Sequence, residues 1–370
     1  MENVNYEFTK AHTQIAKGIA ITLMMIHHLF RFPDRIKDVS YISILPFGKP
    51  GFEYVLGDFG NICIAMFLFL SGYGLYISTL NKESYTLKDS VGKIIKLLIN
   101  YWVVFIVFVP IGLIFFSNNI RYNFNITSFI ANFTTTSSSY NSEWWFVRLY
   151  IELLLLFPLI KLILKRRIMA SFALILGLYI VAIVMELIPV IAPQLAFLKK
   201  SFIYGDIRNL LFWQMTFCTG FIFAKFKLFS HMNEWIMRKK LDKKIFYIPT
   251  LITIIAVRIG CSYVFEFIGK GNPTYIDFML APIFVLICTK FIYGYRGNKI
   301  FSTLGKHSTN MWLTHTFFCY YYFQNLVYMP KVSILILMWL AALSLTTSIF
   351  INFIIRLLTA VIKKPVYIES

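Results

Sequence analysis

The chain has 370 residues, of which 58% are hydrophobic, 18% aromatic and only 14% charged, whereas soluble domains carry about a quarter charged residues. That composition excludes an ordinary soluble domain and points to an integral membrane protein. A net charge of +19 would suit nucleic acid, but the Lys and Arg residues gather at the ends of successive hydrophobic runs, which argues against that partner and fits a surface facing anionic lipid.

Ten runs have the length of membrane helices, near residues 14–31, 59–80, 97–117, 144–163, 169–190, 209–226, 245–265, 274–294, 309–328 and 332–357. They are too long for barrel strands and lack the two-residue alternation of such strands. No repeat and no linker divides them, so we expect an all-α, polytopic transmembrane helical bundle of about ten spans, forming one domain over residues 1–370. Met1 to Ala16 is polar and does not resemble a cleavable signal peptide. Most Lys and Arg residues lie near the two ends (Lys10, Lys17, Arg356, Lys363, Lys364) or in the connections after spans 2, 4, 6 and 8. An example is Arg238-Lys-Lys240 with Lys243 and Lys244. The positive-inside rule then places both termini in the cytoplasm. Five cysteines (Cys63, Cys218, Cys261, Cys288, Cys319) stand singly without metal-ligand spacing, so neither a disulfide framework nor a metal site is expected.

The first run, Lys17 to Phe30, carries a Lys near its start and two His near its end. Lys17 and His28 are eleven positions apart, roughly 20° past three full helical turns, so they share one face about 16 Å apart along the axis. Ionisable groups at that depth usually face the protein interior and serve a purpose. Lys17 alone also fits a snorkelling side chain at the membrane edge. His27 lies about 100° around the helix from His28 and reads as a structural partner.

Further along, the connection from Arg31 to Asp58 contains Pro33, Pro46 and Pro50 and reads as an ordered capping or re-entrant loop. Ser71-Gly72-Tyr73-Gly74 inside span 2 permits close helix packing, or lines a donor path. The polar connection from Asn118 to Glu143, with its Thr134–Ser139 run, either covers a substrate site or is a flexible linker, the latter being favoured. Asn125-Ile-Thr127 and Asn132-Phe-Thr134 match a glycosylation pattern short enough to recur by chance. Glu143-Trp144-Trp145 opens span 4 as an interfacial aromatic belt or a stacking platform for sugar rings. Arg148 and Glu152, one turn apart, form a self-neutralising pair or line a cavity. Arg258, Glu266, Asp277 and Glu186 are given no role. In span 9, His315 and Asn310 lie about 140° apart around the helix. His315 either lines a pocket or makes a contact between helices. The polar and aromatic Tyr320–Asn325 stretch of this span suits an interior helix.

Four stretches together resemble family 3 of membrane-bound acyltransferases: Lys17 to His28, Phe67-Leu-Phe-Leu-Ser-Gly-Tyr-Gly-Leu75, Glu143-Trp-Trp-Phe-Val-Arg148 and Leu304 to His315. They run from the first span to the ninth. In that family a basic residue and a His, ten residues between them, lie in the first helix; here they are Lys17 and His28, with Lys where many members have Arg. Many members also carry an acid shortly before the basic residue, whereas this chain reads His12-Thr-Gln-Ile-Ala16, so Lys17 needs another partner. The resemblance implies an O-acetyltransferase-like enzyme of the bacterial inner or plasma membrane. It would move an acyl group, most simply acetyl, from cytoplasmic acyl-CoA to a hydroxyl of a cell-envelope sugar or polysaccharide. Such transfer needs a base, for which His28 is the candidate, and Lys17 is placed to hold the phosphates or pantetheine end of the donor. Ser71, Gly72, Tyr73, Trp145, Arg148, Glu152 and His315 are the candidate substrate-binding residues. The alternatives are a transporter of a glycan or acyl group, or a structural partner in a polysaccharide-synthesis complex.

Overall fold

A computed structural model describes residues 7–37, 39–45, 51–80, 82, 85–165, 168–267, 273–294 and 297–362. Pro46, Pro50, Lys363 and Lys364, and the side chain of Glu266, lie outside the described residues. In chain order the α-helices are α1 (Lys10–Phe30), α2 (Phe52–Gly60), α3 (Ile62–Thr79), α4 (Leu87–Phe115), α5 (Ile126–Phe133), α6 (Trp145–Lys165) and α7 (Ile168–Ile191). They continue with α8 (Phe202–Lys225), α9 (Leu228–Arg238), α10 (Lys244–Phe267), α11 (Asp277–Ile292), α12 (Gly297–Thr316), α13 (Gln324–Tyr328) and α14 (Ser333–Ile362). A long helix covers most of each expected hydrophobic run except the ninth. Among the described residues the extended backbone pairing is a single bridge, Ile42 with Val332.

Six segments are long and apolar enough to cross a membrane: Phe52–Thr79, Leu87–Phe115, Met169–Pro189, Lys244–Phe265, Thr274–Ile292 and Ser333–Ala360. The chain is therefore a multi-pass membrane protein. The other long helices, α1, α6, α8 and α12, are interrupted by polar or ionisable side chains, among them Lys17, Arg148, Arg208 and Asn310. Side chains of that kind are tolerated at membrane depth where they face protein or a cavity. Three of these helices, α1, α6 and α12, line the candidate site.

Local signals fix the helix starts. Thr9 and His12 form a capping box at α1, with the Thr9 backbone N–H donating to His12 Nδ1 at 3.1 Å. Thr86 and Asp89 do the same for α4. Such caps satisfy N–H groups that the first turn leaves unpaired. α1 is the most enclosed of the long helices and packs against α2, α3, α11, α12 and α14. Two glycines let α12 approach it closely: a Cβ on Gly18 would fall on the Phe301 carbonyl, and one on Gly305 on the Gln14 carbonyl. Gly72 of α3 and Gly220 of α8 are matched in the same way, each lying against a carbonyl of the other helix, Phe217 and Phe69. Backbones in contact maximise dispersion where lipid offers no hydrophobic driving force.

Two expectations need correction. The ninth span was expected as one helix over 309–328, but α12 starts at Gly297 and gives way after Thr316 to a π-helical turn, Phe317–Tyr321. The break is held by side chains that occupy neighbouring carbonyls: Tyr322 Oη donates to Phe108 O at 2.9 Å and Tyr328 Oη to Leu29 O at 2.7 Å. Gln324 Nε2 bridges Arg35 O and Cys319 O. The connection from Asn118 to Glu143, expected as a flexible linker, is folded around Asn132. That fully buried amide donates to Ser128 O and Ser139 Oγ and accepts from the Tyr140 N–H. Its burial also makes the Asn132-Phe-Thr134 glycosylation pattern a chance match.

Candidate active site

A cavity of about 300 Å³ runs along one wall of α1, between α3, α6 and α12. Lys17 lines it at one level, with Ser308 and Thr309 of α12 nearby in the lining, and His28 lines it three turns further along. The eleven-residue spacing thus places both side chains on the same cavity. Among the described residues Lys17 has neither a hydrogen bond nor an ion pair. Among the described residues no carboxylate pairs with Lys17 in place of the acid missing before it. An unpaired ammonium beside a cavity at this depth is costly unless something anionic completes it.

At the other end, α1 stops at Phe30, and Pro33 starts a short 3-10 turn that brings Arg35 back over the helix end. Arg35 stacks on Phe32 at 4.3 Å and on Tyr320 at 5.1 Å, and its Nη1 donates to Glu143 Oε1 at 3.2 Å. Glu143 lies in the tight turn Ser142–Trp144 that precedes α6. That turn is pinned to α12 and its π-turn: Asn141 Nδ2 donates to Thr316 Oγ1 at 2.9 Å, Trp144 Nε1 to Leu313 O at 3.1 Å, and the Ser142 N–H to Tyr321 Oη at 3.2 Å. Burial pushes the Glu143 carboxyl above its ordinary range, and the Arg35 guanidinium pulls against that rise.

His28 meets this pair from the α1 side. Tyr320 Oη donates its hydrogen to the His28 backbone oxygen at 2.5 Å, so the contact with His28 Nδ1 at 3.3 Å is one in which the ring donates and the phenol oxygen accepts. The hydrogen-bond network thereby assigns the proton to Nδ1 and the lone pair to Nε2, which lies 3.8 Å from Glu143 Oε2. An imidazole in that tautomer can take a proton from a hydroxyl, and the carboxylate beside it steadies the imidazolium that forms.

His27 Nδ1–H donates to the Gly57 carbonyl oxygen at 2.7 Å, which ties α1 to α2, and His27 also borders the cavity. Ser71 and Trp145 also line the cavity. Gly72 faces α8, and Tyr73 packs between Phe8 and Phe229 with ring centroids 5.3 and 5.7 Å away; neither lines the cavity. Arg148 pairs with Glu152 at 3.0 Å and with Asp206, and borders a separate space of about 50 Å³. His315 is fully buried, with Nδ1 2.9 Å from Trp312 O. Its ring centroid lies 5.0 Å from that of His28, and its Nε2 lacks a partner among the described residues.

Arg35, Glu143 and Tyr320 escaped the sequence reading as site residues. Glu143 stood beside a flagged Trp pair, but nothing periodic connects position 143 to position 28. Arg258 and Asp277 were left without a role. They form a fully buried, two-pronged ion pair (2.8 and 3.0 Å), and Arg258 Nη1 also donates to Asp58 O, one residue from the carbonyl that meets His27.

A family model described as an acyltransferase domain, of the acyltransferase 3 family, matches residues 14–356. No curated protein and no solved structure matches the chain.

Proposed function

The chain belongs to the acyltransferase 3 family, and from that premise we propose that it transfers an acyl group, acetyl in the simplest case, from cytoplasmic acyl-CoA to a hydroxyl of a cell-envelope sugar or polysaccharide. In this proposal the ten long helices cross the membrane, both termini face the cytoplasm, and the Lys17 end of the cavity opens inward. The observation that carries the proposal is one cavity with two unlike ends: an unpaired ammonium at Lys17, and a His28 lone pair facing Glu143 about 16 Å further along the helix.

Lys17 binds an anionic part of the donor, and the thioester reaches toward His28. The acceptor hydroxyl gives its proton to His28 Nε2 while its oxygen attacks the thioester carbonyl carbon. The C–S bond then breaks, and the departing CoA thiolate receives the proton from His28. Glu143, held by Arg35, offsets the imidazolium charge during the step. Trp145, at the same end as His28, offers an aromatic wall for the acceptor.

Purified protein in liposomes, supplied with radiolabelled acetyl-CoA and a cell-envelope extract, tests this. Label on carbohydrate that depends on the protein supports the proposal. Movement of label across the bilayer without a covalent product would instead support a transporter.

A further inference from the structure

Trp145, Asn61 and Ile64 belong to two cavities at once. Behind the His28 end of the main cavity they also border a second space of about 280 Å³, nearly as large as the first, completed by Glu186 of α7, by Arg208, Asn209, Phe212 and Trp213 of α8, and by Thr274. The wall is mixed: two indoles, two amides, one cation and one anion. Arg208 Nη2 donates to Asn209 Oδ1 at 2.9 Å, which orients both polar heads. A third space beyond, bordered again by Trp145 and Asn209, holds only about 50 Å³ and is closed by the Arg148 ion pairs with Glu152 and Asp206. That is room for a water or two, not for a ring.

We infer that the second cavity is a subsite for one neutral sugar ring, adjoining the ring whose hydroxyl is acylated, so that the acceptor contains at least two linked sugar units. The inference deepens the acyltransferase proposal and rests on it. The chemistry selects the ligand by elimination. An apolar occupant would strip water from the Arg208 and Glu186 charges and from the amides and offer them no hydrogen bond in its place, at a steep desolvation cost. An anion meets Glu186, and a cation meets Arg208. A neutral polyol satisfies both charges with hydroxyls that donate and accept, and lays its C–H face on an indole. Because the cavities share Trp145, Asn61 and Ile64, a ring in the second lies next to a ring at His28.

Binding is measured with His28→Ala protein in nanodiscs, in which catalysis plays no part. The probes are the methyl glycosides of glucose, galactose and N-acetylglucosamine and their 1→4-linked disaccharides, followed by calorimetry. At least one disaccharide should bind about tenfold or more tightly than its methyl monosaccharide, and Asn209→Ala and Glu186→Gln, in protein that keeps its melting temperature, should each remove most of that difference. Equal binding of monosaccharides and disaccharides, or a preference untouched by both variants, overturns the subsite. Native protein that prefers a disaccharide yet labels nothing from acetyl-CoA refutes the acyltransferase proposal while leaving the binding result in place, so the two failures are distinguishable.

Discussion

Replacing Gly305 by Ala tests whether the closeness of α1 and α12 holds the site together. The new Cβ falls on the Gln14 carbonyl of α1, a backbone atom inside a helix that cannot swing aside. A carbon and a carbonyl oxygen approach to about 3.3 Å at closest in ordinary contact, so the helices must part by more than about 1 Å. Overpacking of this kind costs about 1–3 kcal/mol, or roughly 1–4 °C of melting temperature for a chain of this length. The displacement also separates His28, on α1, from Tyr320, on the turn after α12. A misplacement near 1 Å at a catalytic group can lower turnover about a hundredfold, so activity should fall far more than stability. The control is Gly177→Ala in α7, where a Cβ meets nothing within 4 Å and the better helix former should stabilise by about 0.5–1 kcal/mol. Thermal melting in detergent and acyl transfer in liposomes read the two effects. A Gly305→Ala protein as stable and as active as the native one would refute the packing argument.

Three further outcomes follow from the geometry. Glu143→Gln keeps the shape of the side chain but removes the counter-charge of the imidazolium, so kcat should drop by about a hundredfold or more with donor affinity retained, as single-turnover kinetics would show. Lys17→Met should raise the donor Kd by about tenfold to a hundredfold, the worth of a charge-assisted contact, with kcat at saturation little changed; calorimetric titration with acetyl-CoA checks this. Arg258→Met alone strands a fully buried Asp277 and should cost about 3–5 kcal/mol, whereas Arg258→Met with Asp277→Leu should recover most of that loss in a melting experiment.

The long helices were legible because each carries an apolar run, and Lys17 with His28 was legible because helical periodicity relates positions within one element. What periodicity cannot do is relate elements. Glu143 reaches His28 only because the Ser142–Trp144 turn is pinned to α12, and Arg35 arrives through a three-residue turn with no pattern of its own. The uniform aromatic character of Tyr320–Tyr322 concealed a helix break, since the Tyr320 and Tyr322 phenols bond to carbonyls on α1 and α4 that lie more than two hundred positions away in sequence. For Ser71–Gly74 composition left close helix packing and a donor path both open; Gly72 lies against the α8 backbone and Tyr73 packs into an aromatic cluster, which the packing reading describes. The polar Thr134–Ser139 run resembles a linker because its local composition does not reveal that Asn132 is buried beneath it.

The central claim is that His28 is the base of an acyl transfer. Its most direct test is single-turnover transfer from radiolabelled acetyl-CoA to envelope carbohydrate by native and His28→Ala protein, with donor binding measured in parallel. The account requires transfer to fall by about a hundredfold or more in the variant while acetyl-CoA binds as before. Equal transfer by both proteins contradicts it.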